Sequence, residues 1–556
     1  MADTPMKRFD YIIVGAGAAG CVLANRLSAD PRRSVLLLEA GTLSNHWRLR
    51  MPMAAMDRLS QSDKFCWKNW SEPEAQLDGR RIYVPSGRVI GGSSSINGMV
   101  HIRGNPAEFD RWAEQGCDGW SYQDVLPYFR KSETYHGPRS SLRGSDGPLS
   151  VFKTTPVNPL DVAFIDSGVE AGFELSEDFN GASQQGFGSY DHSIDGGQRV
   201  SAATAYLYPA QGRSNLTVIT NARVDKLRIE SGRAVAVAYQ QNAESHWAFA
   251  EAEVIVCAGA IWTPHLLQKS GIGHAGRLRE VGVESTHHLP AVGHGLQNHI
   301  DVVLQYACKE PVSILNMTKP WNQIAQGLRW FQGGRGYYGT CPFVAGALFK
   351  SSDDQPYPDI QVIFTPCATE PVSQKPRRYH GFQAHIGLQK YSMKGRVQLK
   401  SADPSIGPEI RFNLFEEPDD QQRLVYAIRH MEDVFRQPAF KAFCGERLIP
   451  GPNVESDDDL KAWLTASAGC AHHSSASCPM GSPDNEGSVV DSQCRVIGLE
   501  GLRVVDASVM PAIVNSNTHA TVVMIAEKAA DMIMGREPEA AVHFRGPQEM
   551  AQAMSF

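Results

Sequence analysis

The 556-residue sequence has no run of about 18 apolar residues, so nothing in it reads as a membrane-spanning helix. It has no excess of positive charge. Its 53 basic and 60 acidic residues leave a net −7, which offers no cationic field to a nucleic acid. The short basic clusters, Gly79 to Arg81 and Lys375 to Arg378, read as solvated loops. No Cys-x-x-Cys occurs, and the eleven cysteines lack the Cys/His spacing of a metal site. Cys470 and Cys478 flank a His-His pair, but no second ligand cluster lies nearby, so no metal is expected. No apolar stretch precedes the first strand, so no secretory signal is visible. With thiols that show no pairing pattern, that makes a cytoplasmic location the expectation.

What is there begins with "FDYIIVGAGAAGCVLANRLSADPRRSVLLLEAG". Phe9 to Val14 reads as a buried strand. Gly15, Gly17 and Gly20 follow as G-x-G-x-x-G, then a helix over Ala18 to Ser28, then a second buried strand ending at Glu39. Each residue has a mechanical task. Gly15 permits the tight turn, Gly17 lets a pyrophosphate approach the backbone, and Gly20 lets helix and strand pack closely. The helix N-terminus offers free N–H groups to phosphates, and Glu39 stands where an acid accepts a ribose diol. The glycines alone do not separate NAD from FAD.

Four further stretches carry structure. "GGSSSINGMVHIRG" is a loop without side-chain bulk that leads into a half-buried segment, as a loop wrapped on a flat ring system would. In residues 252–273, Val254 to Cys257 reads as a buried strand, Gly259 as a turn and Thr263-Pro264 as the start of a helix. Residues 216–241 look like an antiparallel meander, with Val224 near a turn. Near the C-terminus Leu502 to Val505 reads as a strand with Asp506 at its end. A helix then starts near Thr518 to Thr521, its apolar residues following the 3.6 period.

Together these motifs resemble the glucose–methanol–choline oxidoreductase family of FAD enzymes over almost the whole chain. Within it, the look is nearest to bacterial choline-dehydrogenase-like and alcohol-dehydrogenase-like members. The resemblance implies an α/β fold, α+β overall, with a Rossmann-like FAD domain built from segments 1–154, 191–300 and 461–540. A substrate domain with an antiparallel sheet would take 155–190 and 301–460, leaving 541–556 as a tail. In that domain "PDIQVIFTP" and "GRVQLKSAD" read as strands and "QQRLVYAIRHMEDVFRQ" as an amphipathic helix.

The resemblance also assigns residues. FAD contacts fall on Gly15, Gly17, Ala18, Ala19 and Gly20, on Glu39, Ala40 and Gly41, and on Trp70 and Arg88. Further contacts fall on Gly91, Gly92 and Ser93, on Asn97, Gly98, Met99 and Val100, and on Val224, Ala258 and Gly259. The C-terminal part adds Asp506, Ala507, Thr518, His519 and Thr521. The family's catalytic histidine stands shortly ahead of a Met-Gly, here Met480-Gly481, which places it at His473 rather than His472. The second active-site position falls on His519.

The chemistry needs such a pair, because hydride leaves an alcohol carbon readily only when the hydroxyl proton is removed with it. A neutral imidazole can take that proton. His473 is therefore assigned as base and His519 as its partner, with the division of roles open, and His472 as a structural neighbour. Ser474 to Ser477 replace the family's Pro-Val-Gly-Thr, so the turn after His473 loses a fixed φ and is expected to be less rigid.

Ile96 occupies the position where some members attach FAD covalently, so non-covalent FAD is expected, and His101 reads as structural. Val344 falls where choline enzymes carry a carboxylate, which argues for an uncharged primary alcohol. The expected reaction is its oxidation to the aldehyde, by hydride transfer to flavin N5. Electrons would pass to an external acceptor: a quinone, a carrier protein or O2. An alcohol oxidase and a hydroxynitrile-lyase-like enzyme are the alternatives. No nucleic-acid partner is expected, and peripheral membrane association and oligomeric state are left open. The aromatic stretch 321–339 suits either a lid over an apolar entrance or ordinary loop packing.

Overall fold

The computed structural model describes residues 7–56, 59–370, 375–391 and 394–542. The expected tail lies outside the described residues from 543 onward.

Apolar, β-branched runs build a seven-stranded sheet at the centre of the larger core. Its middle strand, Lys7–Val14, pairs in parallel with Val35–Leu38 on one side and with Glu244–Val256 on the other. Leu216–Ile219 adds in parallel beside Val35–Leu38. Leu502–Val504 pairs in parallel with the end of Glu244–Val256. The start of that long strand instead joins Ala222–Glu230 and Arg233–Gln241 as an antiparallel meander. Ile12, Ile13, Leu36, Leu37, Val254 and Ile255 are fully buried, as continuous apolar runs in a sheet covered on both faces should be.

The parallel strands all point their carboxyl ends the same way. Gly15, Glu39, Cys257 and Asp506 follow those ends, so four distant stretches converge on one crevice. The helix Ala18–Leu27 leaves the first strand through Gly15, whose φ is +101°. A Cβ on Gly20 would lie 1.9 Å from the Gly15 carbonyl oxygen, which is the close packing expected of that glycine.

A second seven-stranded sheet packs its own core. Its path runs Cys444–Ile449, Ile300–Cys308, Gly381–Leu388, Ile360–Thr365, Ala345–Phe349, Gly186–Ser189, all antiparallel, with Gly469–Cys470 beside Ile300–Cys308. The amphipathic helix Pro418–Arg436 buries Leu424, Ile428, Met431 and Phe435 in this core.

One local expectation differs from the structure. The helix after Val256 starts at Gly259, not at Thr263-Pro264, and Pro264 sits inside it. Asp506 sets the earlier start, because its Oδ2 accepts from the Gly259 N–H at 2.8 Å and from the Thr263 hydroxyl at 2.6 Å. Within 321–339 the chain forms the helix Pro320–Phe331, and no residue of that stretch lines the crevice.

Candidate active site

The crevice is a cavity of about 570 Å³ that runs from the glycine turn to the second sheet. One end is formed by Gly15, Gly17, Ala18, Ala19, Glu39 and Ala40. Gly17 caps the Ala18–Leu27 helix with no side-chain hydrogen bond, so the first-turn N–H groups face the cavity unblocked. A Cβ on Gly17 would meet only one atom within 4 Å, and one on Gly259 none. The Glu39 carboxylate accepts from Ala16 N at 2.9 Å and Gly41 N at 2.7 Å. Burial raises its pKa to about 7 against the pull of those two amides and of Arg88.

The middle is walled by Gly92, Ser93, Asn97, Gly98, Met99 and Val100 on one side, and by Val224, Ala258, Gly259, Asp506 and Ala507 on the other. Thr518 and His519 also line it. An open backbone cradle, free helix amides and a buried acid fit an extended dinucleotide. His519 adds a buried Nε2 that has no hydrogen-bond partner and belongs to a cavity-lining side chain. It is the kind of polar atom a bound group would satisfy.

Six residues expected at the cofactor do not line the cavity. Gly20 and Gly41 act through backbone packing, since a Cβ on Gly41 would meet the Arg88 carbonyl at 2.0 Å. Gly91 turns the loop at φ +88°. Thr521 is buried in the helix His519–Ile533. Trp70 is half-exposed against Tyr83, and Arg88 donates to the Asp63 carbonyl at 2.7 Å while lying over Trp67. His101 is buried against Glu133 at 3.0 Å, and Ile96 lines the cavity.

The reaction end is organised around His473. Its Nδ1 lies 2.9 Å from Nδ1 of His299, whose Nε2 lies 2.8 Å from the Val514 carbonyl. A carbonyl only accepts, so His299 Nε2 carries hydrogen and, in the neutral ring, its Nδ1 accepts from His473 Nδ1–H. His473 Nε2 is then left as a lone pair. It receives the Asn517 amide at 3.1 Å, and Asn517 Oδ1 in turn accepts from Gln361 Nε2 at 3.1 Å. His473 pairs with Asn517 and His299, not with His519. Burial, then the neighbouring His299 and His472, hold the His473 pKa well below the ordinary imidazole value. Burial likewise lowers His519 to about 3.

Gln297 to His299 fasten both catalytic loops. Gln297 and Ser475 exchange backbone hydrogen bonds at 3.0 Å, and Gln297 Oε1 accepts from Ile513 N at 2.9 Å. Asn298 Oδ1 accepts from His473 N at 2.8 Å. The turn after His473, expected to be looser without its proline, is tied instead. Ser475 Oγ donates to the His473 carbonyl at 2.9 Å and Ser477 Oγ to Ala260 O at 2.6 Å.

The second sheet supplies the cavity's opposite wall. Alternation brings Asp301 and Val303, Ile363 and Thr365, and Gln383 and His385 to one face. Asp301 Oδ2 lies 3.0 Å from His385 Nδ1. Burial pulls the His385 pKa down, but attraction and hydrogen bonding to Asp301 outweigh it and leave it raised. The expectation of an uncharged substrate rested on Val344. Val344 does not line the cavity, whereas the Asp301 carboxylate does. His472, expected to be a neighbour only, also lines it, in the left-handed region at φ +66°. Asn517, His299, Asp301 and His385 were missed because each is recognised only by what the fold sets opposite it. The "QNHID" run, polar at the start of an apolar strand, was the available signal.

Comparison with known proteins gives one answer. Two GMC oxidoreductase family models match residues 9–301 and 391–526. An oxygen-dependent choline dehydrogenase of Pseudomonas aeruginosa is 45% identical over 540 residues, covering 96% of each chain. One from Burkholderia multivorans is 44% identical over 536 residues, 96% of this chain and 94% of that one. Among solved structures, a formate oxidase superposes with TM-score 0.89 at 25% identity, over 96% of this chain and 99% of that one. A pyridoxine 4-oxidase from Mesorbium loti gives 0.86 at 28%, over 95% and 100%.

Proposed function

This chain belongs to the GMC oxidoreductase family and is an FAD-dependent alcohol oxidoreductase, and from that premise we propose that it oxidises a short alcohol with a cationic head group to the aldehyde. His473 is the base. The observation that carries this is the directed chain from Val514 through His299, which leaves the His473 Nε2 lone pair facing the cavity beside the Asn517 amide.

An alcohol oxygen that takes the place of the Asn517 amide on His473 Nε2 donates its hydrogen to that nitrogen and accepts from the displaced Asn517 Nδ2–H. The forming alkoxide character is stabilised by the amide, and the proton stays on an imidazole whose other nitrogen is already hydrogen-bonded. The resulting imidazolium is unfavourable in so buried a place, so the proton is released again once the aldehyde departs. FAD, when bound, supplies the acceptor for the hydride. It would be held without a covalent link, since Ile96 offers no nucleophile. The glycine turn, Glu39, the Gly92–Val100 loop, Ala258, Gly259, Asp506 and His519 would hold it. Electrons would then pass to an external acceptor, O2 being the one that the relatives' names carry.

The head group is placed by Asp301. A carboxylate on a cavity wall attracts a cation, and choline is the alcohol named for the relatives. A second reading, a neutral polar alcohol, is favoured by His385, which neutralises Asp301 when protonated. Anaerobic reduction of the bound flavin by choline and by its neutral isostere 3,3-dimethyl-1-butanol separates the two. Preference for choline at alkaline pH supports the first reading, and equal or better reduction by the isostere at every pH supports the second.

A further inference from the structure

Four arginines are buried among the described residues: Arg103, Arg143, Arg199 and Arg503. Arg103 and Arg143 share Glu133, and Arg503 pairs with Glu253. Arg199, 3% exposed, has no acid beside it among the described residues, and the Cys341 thiol is the one ionisable group that supports its charge. Burial lowers its pKa to about 10, so the guanidinium stays positive at neutral pH. A buried cation without an anion is unfavourable unless something else supplies the negative charge.

Its hydrogen bonds lead to the cofactor loop. Arg199 Nη1 donates to Asn97 Oδ1 at 2.6 Å and to the Ser94 carbonyl at 3.3 Å, and Nε donates to the Leu49 carbonyl at 3.1 Å. Ser94 and Asn97 both line the cavity. Nη2 is buried with no hydrogen-bond partner. The charge is felt at the cavity wall as well, since burial, then His101 and Arg199, hold the His519 pKa down.

The backbone keeps the guanidinium there. Gln198–Arg199 pairs antiparallel with Ile194–Asp195 across Gly196 and Gly197, at φ +53° and +69°, the tight turn that glycine allows. The Ser193 N–H donates to the Met99 carbonyl at 3.0 Å, and the Ala202 N–H to Ser94 Oγ at 3.0 Å. The segment is thus tied to the 94–99 loop on both sides of Arg199.

Other positive groups at the cavity are already matched or neutral. Arg223 and Lys269 share Asp225 at 3.1 and 3.7 Å, and His385 sits on Asp301. Burial keeps His473 and His519 neutral near pH 7. A hydride brings the flavin two electrons and one proton, so a neutral ring gains one negative charge, while the hydroxyl proton goes to His473. The unmatched charge of Arg199 favours that product over the oxidised ring.

We propose that Arg199 is a positioning residue of the FAD site that holds the cofactor loop through Asn97 and, by its unpaired charge, makes the bound flavin easier to reduce. The proposal rests on FAD as the cofactor and is independent of which alcohol is oxidised.

The test is the midpoint potential of the FAD-loaded enzyme, from anaerobic titration against a reference dye, with one-electron photoreduction alongside. Arg199→Gln can still donate to Asn97 but carries no charge. It should shift the two-electron equilibrium toward oxidised flavin by at least about tenfold, which is about 30 mV. Arg199→Lys keeps the charge and should stay within about threefold of the wild type. Photoreduction of the wild type should give the red, anionic flavin radical. The proposal is overturned if the glutamine variant keeps the wild-type potential, if lysine and glutamine shift it alike, or if the wild-type radical is the blue, neutral one. If Arg199→Gln protein cannot be loaded with FAD, the other two measurements decide. A red radical with a lysine variant at the wild-type potential supports the proposal, and a blue radical or a tenfold drop with lysine overturns it.

Discussion

The Nδ1 atoms of His299 and His473 lie 2.9 Å apart, with the far nitrogen of His299 on a backbone carbonyl. That contact decides which nitrogen of His473 bears hydrogen. His299→Ala removes the acceptor and lets His473 adopt the tautomer with hydrogen on Nε2, which cannot take a proton there. Flavin reduction should slow by about 10²-fold at unchanged FAD content, with the loss in kcat rather than KM. Rapid-mixing reduction and an absorbance titration of bound flavin check both halves.

Asn517 and His519 should separate cleanly. Asn517 hydrogen-bonds His473, whereas the His519 Nε2 has no partner in the protein. Asn517→Ala should slow reduction by about 10- to 100-fold with FAD retained. His519→Ala should weaken FAD binding more than it slows the reduction of the enzyme that remains loaded. The reverse split would place the alcohol oxygen at His519.

Asp301 and His385 make substrate binding depend on pH. The His385 pKa is raised, so below it the imidazolium cancels the carboxylate, and above it the pair carries a net negative charge. KM for choline should therefore fall as pH rises through that pKa, while KM for 3,3-dimethyl-1-butanol stays level. Asp301→Asn should raise the choline KM by about 10- to 100-fold and abolish its pH dependence.

Gly20 and Gly327 give opposite outcomes for one change. A Cβ at Gly20 would fall 1.9 Å from the Gly15 carbonyl, whereas at Gly327 it meets nothing within 4 Å. Gly20→Ala should yield protein that has lost FAD. Gly327→Ala, in an exposed helix, should raise stability by about 0.5–1 kcal/mol in a denaturant titration.

Much of the cofactor end is legible in the sequence because its parts are local. Gly15, Gly17, Gly20 and Glu39 lie on one strand–turn–helix–strand unit, and spacing alone sets their tasks. His473 is legible only through resemblance, since nothing in "CAHHSSASCPMG" shows what stands opposite. Its neighbour His299 immediately precedes, and Asp301 lies on, the strand Ile300–Cys308, whose partners are far off in the chain, so pairing rather than pattern brings them to the cavity. The resemblance puts the second active-site position at His519, whereas it is the amide of Asn517, two residues earlier and just ahead of the helix His519–Ile533, that meets the base. Trp70 and Arg88 are assigned by position in a motif, whereas in the antiparallel pair Cys66–Trp70 and Tyr83–Gly87 it is Trp67, Val84, Pro85, Ser86 and Gly87 that line the cavity.

The base assignment is tested most directly by anaerobic rapid mixing of alcohol with His473→Ala enzyme, read as the bleaching of the oxidised flavin band. The expected result is full FAD occupancy and reduction slowed by about 10³-fold or more. Reduction within about tenfold of the wild-type rate would contradict the account, because some other group would then be taking the proton.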